Sequence, residues 1–309
     1  MRKEFSEWIE AYTKKETKSI FLTGDLGFGA LEKVKESIKD RFVNMGVSEQ
    51  NMITVSAALA QQGLLPICYS IAPFAVFRPY EQIRLDIAIH NLPVKIIGNG
   101  GGYGYGIMGA THHALEDLAV LSCLPNFKCV VPLCNSDVQE ACESLFNHNG
   151  PGYLRLGFGI YPSEILLKPK FAACRLLSKS KLGNPKLTIV GIGPITLNIM
   201  PFINKYDFDL FVISEIPILN LDPELCDSIN QSKRILVIEE HSARGGLAEN
   251  LSLQLAKAGL TAYKIYHQFA LGYPSGRYGS QEYHRQQSGL DKVSLENIVA
   301  NIVDPNTIN

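Results

Sequence analysis

Short apolar runs alternate with stretches of helical periodicity from Ser19 onward, and this alternation constrains the fold more than any other feature of the chain. Ser19–Leu22, Arg41–Asn44, Leu65–Tyr69, Val94–Ile97, Cys129–Val131 and Tyr153–Leu156 read as strands. Between them Leu31–Ile38, Glu49–Gln62, Phe74–His90, Ala114–Ser122 and Asp137–Phe146 read as helices, with Gly63 at a C-terminal cap and Ser136 at an N-cap. Strands that each wait for a helix before the next cannot form hairpins. They pair in parallel, through crossovers. The segment 157–186 loses the alternation and carries three prolines, so a domain boundary is expected there. A second alternation follows, with strands at Leu187–Gly191, Leu210–Ser214, Ile235–Glu239 and Tyr263–Tyr266. Helices are expected from Pro194 and over Pro223–Ile229, Leu247–Ala258 and Leu295–Ile302. The expected class is α/β with two domains, each a mostly parallel sheet flanked by helices: residues 1–162, a linker over 163–185, and residues 186–309.

Composition narrows the function classes. The chain has 309 residues, enough for two cores. Lys plus Arg is 29 against 30 for Asp plus Glu, a formal charge of −1 that gives no electrostatic reason to seek nucleic acid or an anionic membrane. No apolar run reaches the roughly 18 residues of a membrane span. The opening residues lack the apolar core of a secretion signal, so a cytoplasmic location is expected. The seven cysteines show no Cys-x2-Cys pair and read as buried thiols rather than a zinc site or a disulfide framework. Charged residues are only 19% and apolar ones 46%, a hint that some surface is covered in an assembly.

Four features could carry chemistry. The run Gly98–Gly109 contains Gly-x-Gly-x-x-Gly after a strand, but no helix opens there and the next strand ends without an acid, which argues against a dinucleotide site. It reads as a flexible loop, or as a place where a cofactor approaches the backbone. Glu49 begins a helix of small apolar residues. It is either an ordinary first-turn acid or a buried carboxyl that requires a partner. Phe74, Phe77 and Tyr80 recur every third residue, as a core stripe or as a wall for a heterocycle. His112 and His113 close the glycine-rich loop, where structural and functional roles are balanced.

Taken together, the order Gly24-Asp25-Leu26-Gly27, Arg41 through Glu49, Phe74-x-x-Phe77-x-x-Tyr80, then Gly109-Ala-Thr111-His112-His113 resembles transketolase. It also resembles 1-deoxyxylulose-5-phosphate synthase and the beta subunits of 2-oxo-acid dehydrogenases. Val237 through Leu247 is similar to the last domain of these enzymes, so the resemblance spans nearly the whole chain. It implies a domain binding the pyrimidine of thiamine diphosphate, followed by the family's C-terminal domain. Glu49 matches the catalytic glutamate at the pyrimidine N1′, and Phe74, Phe77 and Tyr80 match the aromatic pocket. Asp25 and Leu26 match residues flanking the cofactor. His112, with His113 beside it, matches the position facing the substrate.

The family's Gly-Asp-Gly…Asn motif, which holds the diphosphate through Mg²⁺, is missing. The resemblance therefore implies one half of a split transketolase that moves a two-carbon ketol unit. An N-terminal, diphosphate-binding subunit would supply the Mg²⁺ site, and the two would form a two-plus-two heterotetramer. Met108 stands where an acceptor-orienting aspartate is expected, and Gly100 and Phe158 replace a histidine and an arginine. Arg155 falls where the deoxyxylulose synthases have their arginine. The acceptor is therefore expected to be an aldehyde other than a small aldose phosphate, including nucleotide-linked sugars. A beta subunit of a 2-oxo-acid dehydrogenase, a deoxyxylulose-phosphate-synthase-like enzyme and a non-catalytic binding subunit are the alternatives.

Overall fold

The computed structural model describes residues 1–163, 168–262 and 264–304. Two sheets form. The strands in chain order are β1 (Ser19–Thr23), β2 (Phe42–Asn44), β3 (Leu65–Ile71), β4 (Lys95–Asn99), β5 (Lys128–Val130), β6 (Gly152–Leu156), β7 (Cys174–Ser178), β8 (Thr188–Ile192), β9 (Asp209–Ile213), β10 (Glu215–Ile216), β11 (Arg234–Glu239) and β12 (Lys264–Phe269). The first sheet has the order β10-β5-β6-β4-β3-β1-β2 and the second β12-β11-β8-β9-β7. All pairings among these strands are parallel except β10 with β5 and β7 with β9. The central strands are buried along nearly their whole length, as expected of parallel strands covered on both faces.

Two departures from the expected organisation matter. The anticipated linker contains β7, which pairs antiparallel along β9; four of its positions, 164–167, lie outside the described residues, as does Tyr263 of the last expected strand. The second sheet also returns a strand to the first. β10 lies between β9 and β11 in sequence, yet it closes the β5 edge of the first sheet. Its Glu215 carboxylate is fixed by Lys128 at 2.9 Å and by the Ser144 hydroxyl. The cores merge accordingly: Leu22, Ile96 and Tyr153 of the first sheet share one buried cluster with Val190, Phe211 and Val237 of the second.

The long helix expected over 74–90 is broken. It runs as Ala72–Val76, a turn, Tyr80–Gln82 and a wide helical turn at Ile83–Ala88. Pro79 interrupts the ladder because it has no N–H to donate. The helix expected from Ala114 begins only at Asp117. An N-terminal helix, Arg2–Lys15, and another at Gln281–Gln287 were not anticipated. Not every thiol is buried: Cys123 is exposed. Among the described residues, no helix is long and apolar enough to cross a membrane.

Strand order locates the crevice. From β1 the chain moves outward to β2, whereas from β3 it moves the opposite way to β4. The loops leaving β1 and β3 therefore part at their C-terminal ends, the position at which open α/β sheets offer a ligand crevice.

Candidate active site

Four loops converge there. β1 ends at Thr23 and turns through Gly24 and Asp25. The Asp25 amide donates to Asn44 Oδ1 at 2.9 Å, and Asn44 Nδ2 donates back to the Asp25 carboxylate at 3.1 Å. Leu26 is half-buried, and its carbonyl accepts the Thr23 hydroxyl at 2.8 Å. This knot ties the ends of β1 and β2 and sets the entry to the next helix, Glu49–Gln61.

Glu49 is only 4% exposed. Ser48 stands at the N-cap, but its side chain makes no capping bond, and the partners of the Glu49 carboxylate are side chains rather than helix amides. Arg78 Nη1 donates to both its oxygens, at 2.9 and 3.0 Å. The Ser70 hydroxyl approaches Oε1 at 3.5 Å. Gly24 passes beside it: a Cβ there would lie 3.6 Å from Oε1, an ordinary contact. The open side faces a cleft of about 430 Å³ lined by Val47, Ser48, Glu49, Gln50 and Arg78. A larger cleft of about 660 Å³, between the N-terminal helix and Gln139 and Glu143, shares no residue with this site.

Phe74 carries the arrangement onward. The Arg78 guanidinium carbon lies 3.6 Å from its ring centroid, a distance reached only over the face of the ring. The His112 ring meets Phe74 edge-on at 5.1 Å, accepts or donates a bond with the Thr111 hydroxyl at 2.9 Å, and lies 5.9 Å from the Tyr105 ring. Tyr105 is itself fixed by Asn99 Nδ2 at 2.8 Å. Glu49, Phe74 and His112 thus form one line across the ends of β2, β3 and β4.

Three anticipated residues fall outside it. Arg155, anticipated as a substrate ligand, is a buried cation in this structure. It pairs with Asp117 at 2.8 Å, donates to the carbonyls of Ala114 and Glu240, and is 5% exposed. His113 is buried with both ring nitrogens engaged, by Gly106 O at 2.9 Å and the Tyr273 hydroxyl at 2.8 Å, and so ties the loop to the second domain. Tyr80 leaves the aromatic wall because the break at Pro79 turns it away, and its hydroxyl donates to the Val120 carbonyl at 2.9 Å. Phe77 lies exposed near the rim, and Met108 is exposed on the loop.

The glycine run has positive φ at Gly100, Gly102, Gly106 and Gly109, as a loop of glycines was expected to, and close packing gives it a second reason. A Cβ at Gly102 would meet the Glu240 carboxylate at 2.4 Å, and one at Gly109 would meet the Tyr278 ring at 2.8 Å. The loop lies flush against the second domain, and glycine is what lets the two backbones approach. Glu240 holds the seam by accepting from the Tyr103 amide, Gln281 and Arg285. Arg78 and Tyr105 were missed by sequence reasoning. For Arg78 the signal was available: a cation four residues after Phe74, near the only carboxylate expected to be buried at the site.

Comparison with known proteins places the chain by family and fold. Residues 1–162 match the family model described as transketolase, pyrimidine binding domain. An apulose-4-phosphate transketolase subunit of Phocaeicola vulgatus is 28% identical over 251 residues, which cover 80% of each chain. A putative transketolase C-terminal section of Methanocaldococcus jannaschii is 28% identical over 302 residues, covering 96% of this chain and 93% of the relative. A solved structure described as a split gene transketolase, inactive beta4 tetramer, superposes with a TM-score of 0.78 at 24% identity, covering 98% of this chain and 97% of the other.

Proposed function

We propose, from the premise that this chain belongs to the transketolase family, that it is the pyrimidine-binding and C-terminal subunit of a split, thiamine-diphosphate-dependent transketolase. The carrying observation is the Glu49 site: a buried carboxylate on one side of a crevice already holds a flat, nitrogen-bearing group against the face of Phe74. An aminopyrimidine is such a group, so the residues fit it. Glu49 would share a proton with the ring nitrogen N1′, and Phe74, with Phe77 at the rim, would stack the ring. Asp25 and Leu26 would flank the cofactor from the β1 loop. When bound, thiamine diphosphate supplies a carbon nucleophile able to take a ketol unit from a ketose. His112, half-buried beside Phe74, would donate to substrate oxygens.

The diphosphate and its Mg²⁺ would be held by a separate N-terminal subunit, in a two-plus-two assembly. The names of two relatives, one a transketolase subunit and the other a C-terminal section, support a division of this kind. So does the description of the similar solved structure as a split gene transketolase, inactive beta4 tetramer. The acceptor side of the crevice offers exposed Ile107, Met108 and Phe158 in place of charge. The arginines that line the cleft beside Phe158 are both engaged, Arg155 by Asp117 and Arg285 by Glu240, which leaves neither free to hold a small sugar phosphate. An acceptor lacking the usual hydroxyl, or carrying a bulky group such as a nucleotide, fits better.

The test is reconstitution with the partner subunit. Glu49→Gln should fold normally and lose roughly 10²–10⁴ of turnover; wild-type turnover would remove Glu49 from the reaction. A panel comparing kcat/KM for ribose 5-phosphate with deoxy and nucleotide-linked aldehydes then reads the acceptor class. A best rate with ribose 5-phosphate refutes that part.

A further inference from the structure

Among the described residues Arg78 is the one strong partner of Glu49, and it stands where a cofactor ring would have to stand. Its Nη1 takes both carboxylate oxygens, and its guanidinium lies on the face of Phe74. The Ser70 hydroxyl approaches Oε1 more distantly, at 3.5 Å. A planar ring that bonds Glu49 and stacks on Phe74 needs both places at once. We propose that Arg78 is a built-in occupant of the aminopyrimidine seat, which keeps the buried carboxylate paired in the free chain and must swing out when the ring enters. The inference rests on the reading of Glu49 given above and adds a regulatory element to that site.

The chemistry of the exchange is balanced. A buried carboxylate without a donor is costly, so an empty seat would destabilise the chain. A guanidinium imitates the ring as it sits once protonated at N1′: it is flat, it is cationic, and it presents N–H toward the carboxylate. Its departure exchanges one stacked face for another, and because N1′ of the neutral ring is a lone-pair acceptor, the pair with Glu49 re-forms only with one proton taken up from solvent and shared between the carboxyl and N1′. Departure is also feasible, because 43% of the Arg78 side chain is exposed whereas 3% of the Glu49 side chain is. The guanidinium can reach water without unfolding anything, while Glu49 stays fixed by its helix. The exchange imposes a cost on every binding event, since apparent affinity is reduced by the fraction of molecules in which the seat is open.

The experiment uses the full chain and the pyrimidine half of thiamine, 4-amino-5-hydroxymethyl-2-methylpyrimidine, which needs no diphosphate site. Affinity is measured by calorimetric or ligand-observed NMR titration for wild type, Arg78→Ala, Arg78→Lys and Glu49→Gln. Arg78→Ala should bind about tenfold tighter, the loss of a half-exposed ion pair plus one cation–π contact. Arg78→Lys should gain less, because an ammonium keeps the charge but lacks the flat face; it also stands in if the alanine variant fails to fold. Glu49→Gln should bind at least tenfold more weakly. In the wild type, the Arg78 side-chain nitrogen resonances should move at saturation. If both Arg78 variants bind no better than wild type while Glu49→Gln still weakens binding, Arg78 is not an occupant of the seat, although the pyrimidine site stands. If no variant binds the probe, both readings fall.

Discussion

Replacing His113 by asparagine tests whether the loop carrying His112 is held by the second domain. Gly106 O can only accept, so His113 Nε2 carries the proton and Nδ1 accepts from the Tyr273 hydroxyl. One neutral tautomer satisfies both partners. Burial, above all, pushes the imidazole down to about 4, against an ordinary value of 6.5. The sign follows: as pH falls, the unfolded chain takes up the proton first, so this stabilisation is complete above about 6.5 and is lost toward 4. Between pH 7.5 and pH 5 the wild type should lose about 2 kcal/mol through His113, from RT ln[(1 + 10^1.5)/(1 + 10^−1)]. Burial also lowers His241 and His284, so the wild-type acid limb is steeper than His113 alone would make it. The asparagine variant keeps those terms and drops this one. It should be less stable than wild type by about 2 kcal/mol at pH 7.5, for two hydrogen bonds at about 1 kcal/mol each. At pH 5 the two proteins should be nearly equal. Urea unfolding of each at the two pH values, followed by Trp8 fluorescence, measures the gap. A gap that does not change with pH would mean that His113 is solvated or already charged, and the loop anchorage argument would fail.

Arg155→Met should cost roughly 3–5 kcal/mol in thermal unfolding, because Asp117 is left buried without its cation, and Asp117→Asn in the same chain should recover part of the loss. Gly102→Ala, at φ +65° and 2.4 Å from the Glu240 carboxylate, should cost about 1–3 kcal/mol by calorimetry. A silent substitution there would mean that the seam is loose. His112→Asn should lower kcat about 10²-fold with an unchanged melting temperature, because its side chain bonds its sequence neighbour Thr111. A large drop in stability would reassign it to structure.

Most of the architecture was legible, and the reason is local. β1, β3, β4, β8, β9 and β11 are short runs of Ile, Leu, Val and Phe bounded by polar turns, and such runs have little else to become when helices separate them. What escaped depends on distant partners. β10 is two residues long, and nothing in Glu215-Ile216 indicates that it pairs with β5. Spacing alone put Tyr80 on a wall with Phe74, but the helix break at Pro79 changes the phase. The glycines at 102 and 109 suggested a ligand loop, whereas their neighbours are Glu240 and Tyr278, more than a hundred residues downstream. Glu49 was legible as a buried acid in need of a partner. Arg78 was not found, because periodicity draws attention to apolar positions and passes over the charge between them.

The excursion of β10 also governs the order in which the chain can become itself. The polypeptide lays down β1 to β6, begins the second sheet with β7 to β9, goes back to finish the first with β10, and only then completes the second with β11 and β12. It is sewn with a return stitch. A nascent chain that has emerged only as far as residue 162 therefore carries a first sheet whose β5 edge is still bare, and bare edges recruit other strands. Its natural cover arrives with Ser214–Ile216, after the second sheet is already under way. Neither half can be trimmed away at the boundary to leave a finished product. A cut in the linker would sever the covalent thread but leave the weave intact, so a nicked molecule should migrate as one particle until it is denatured.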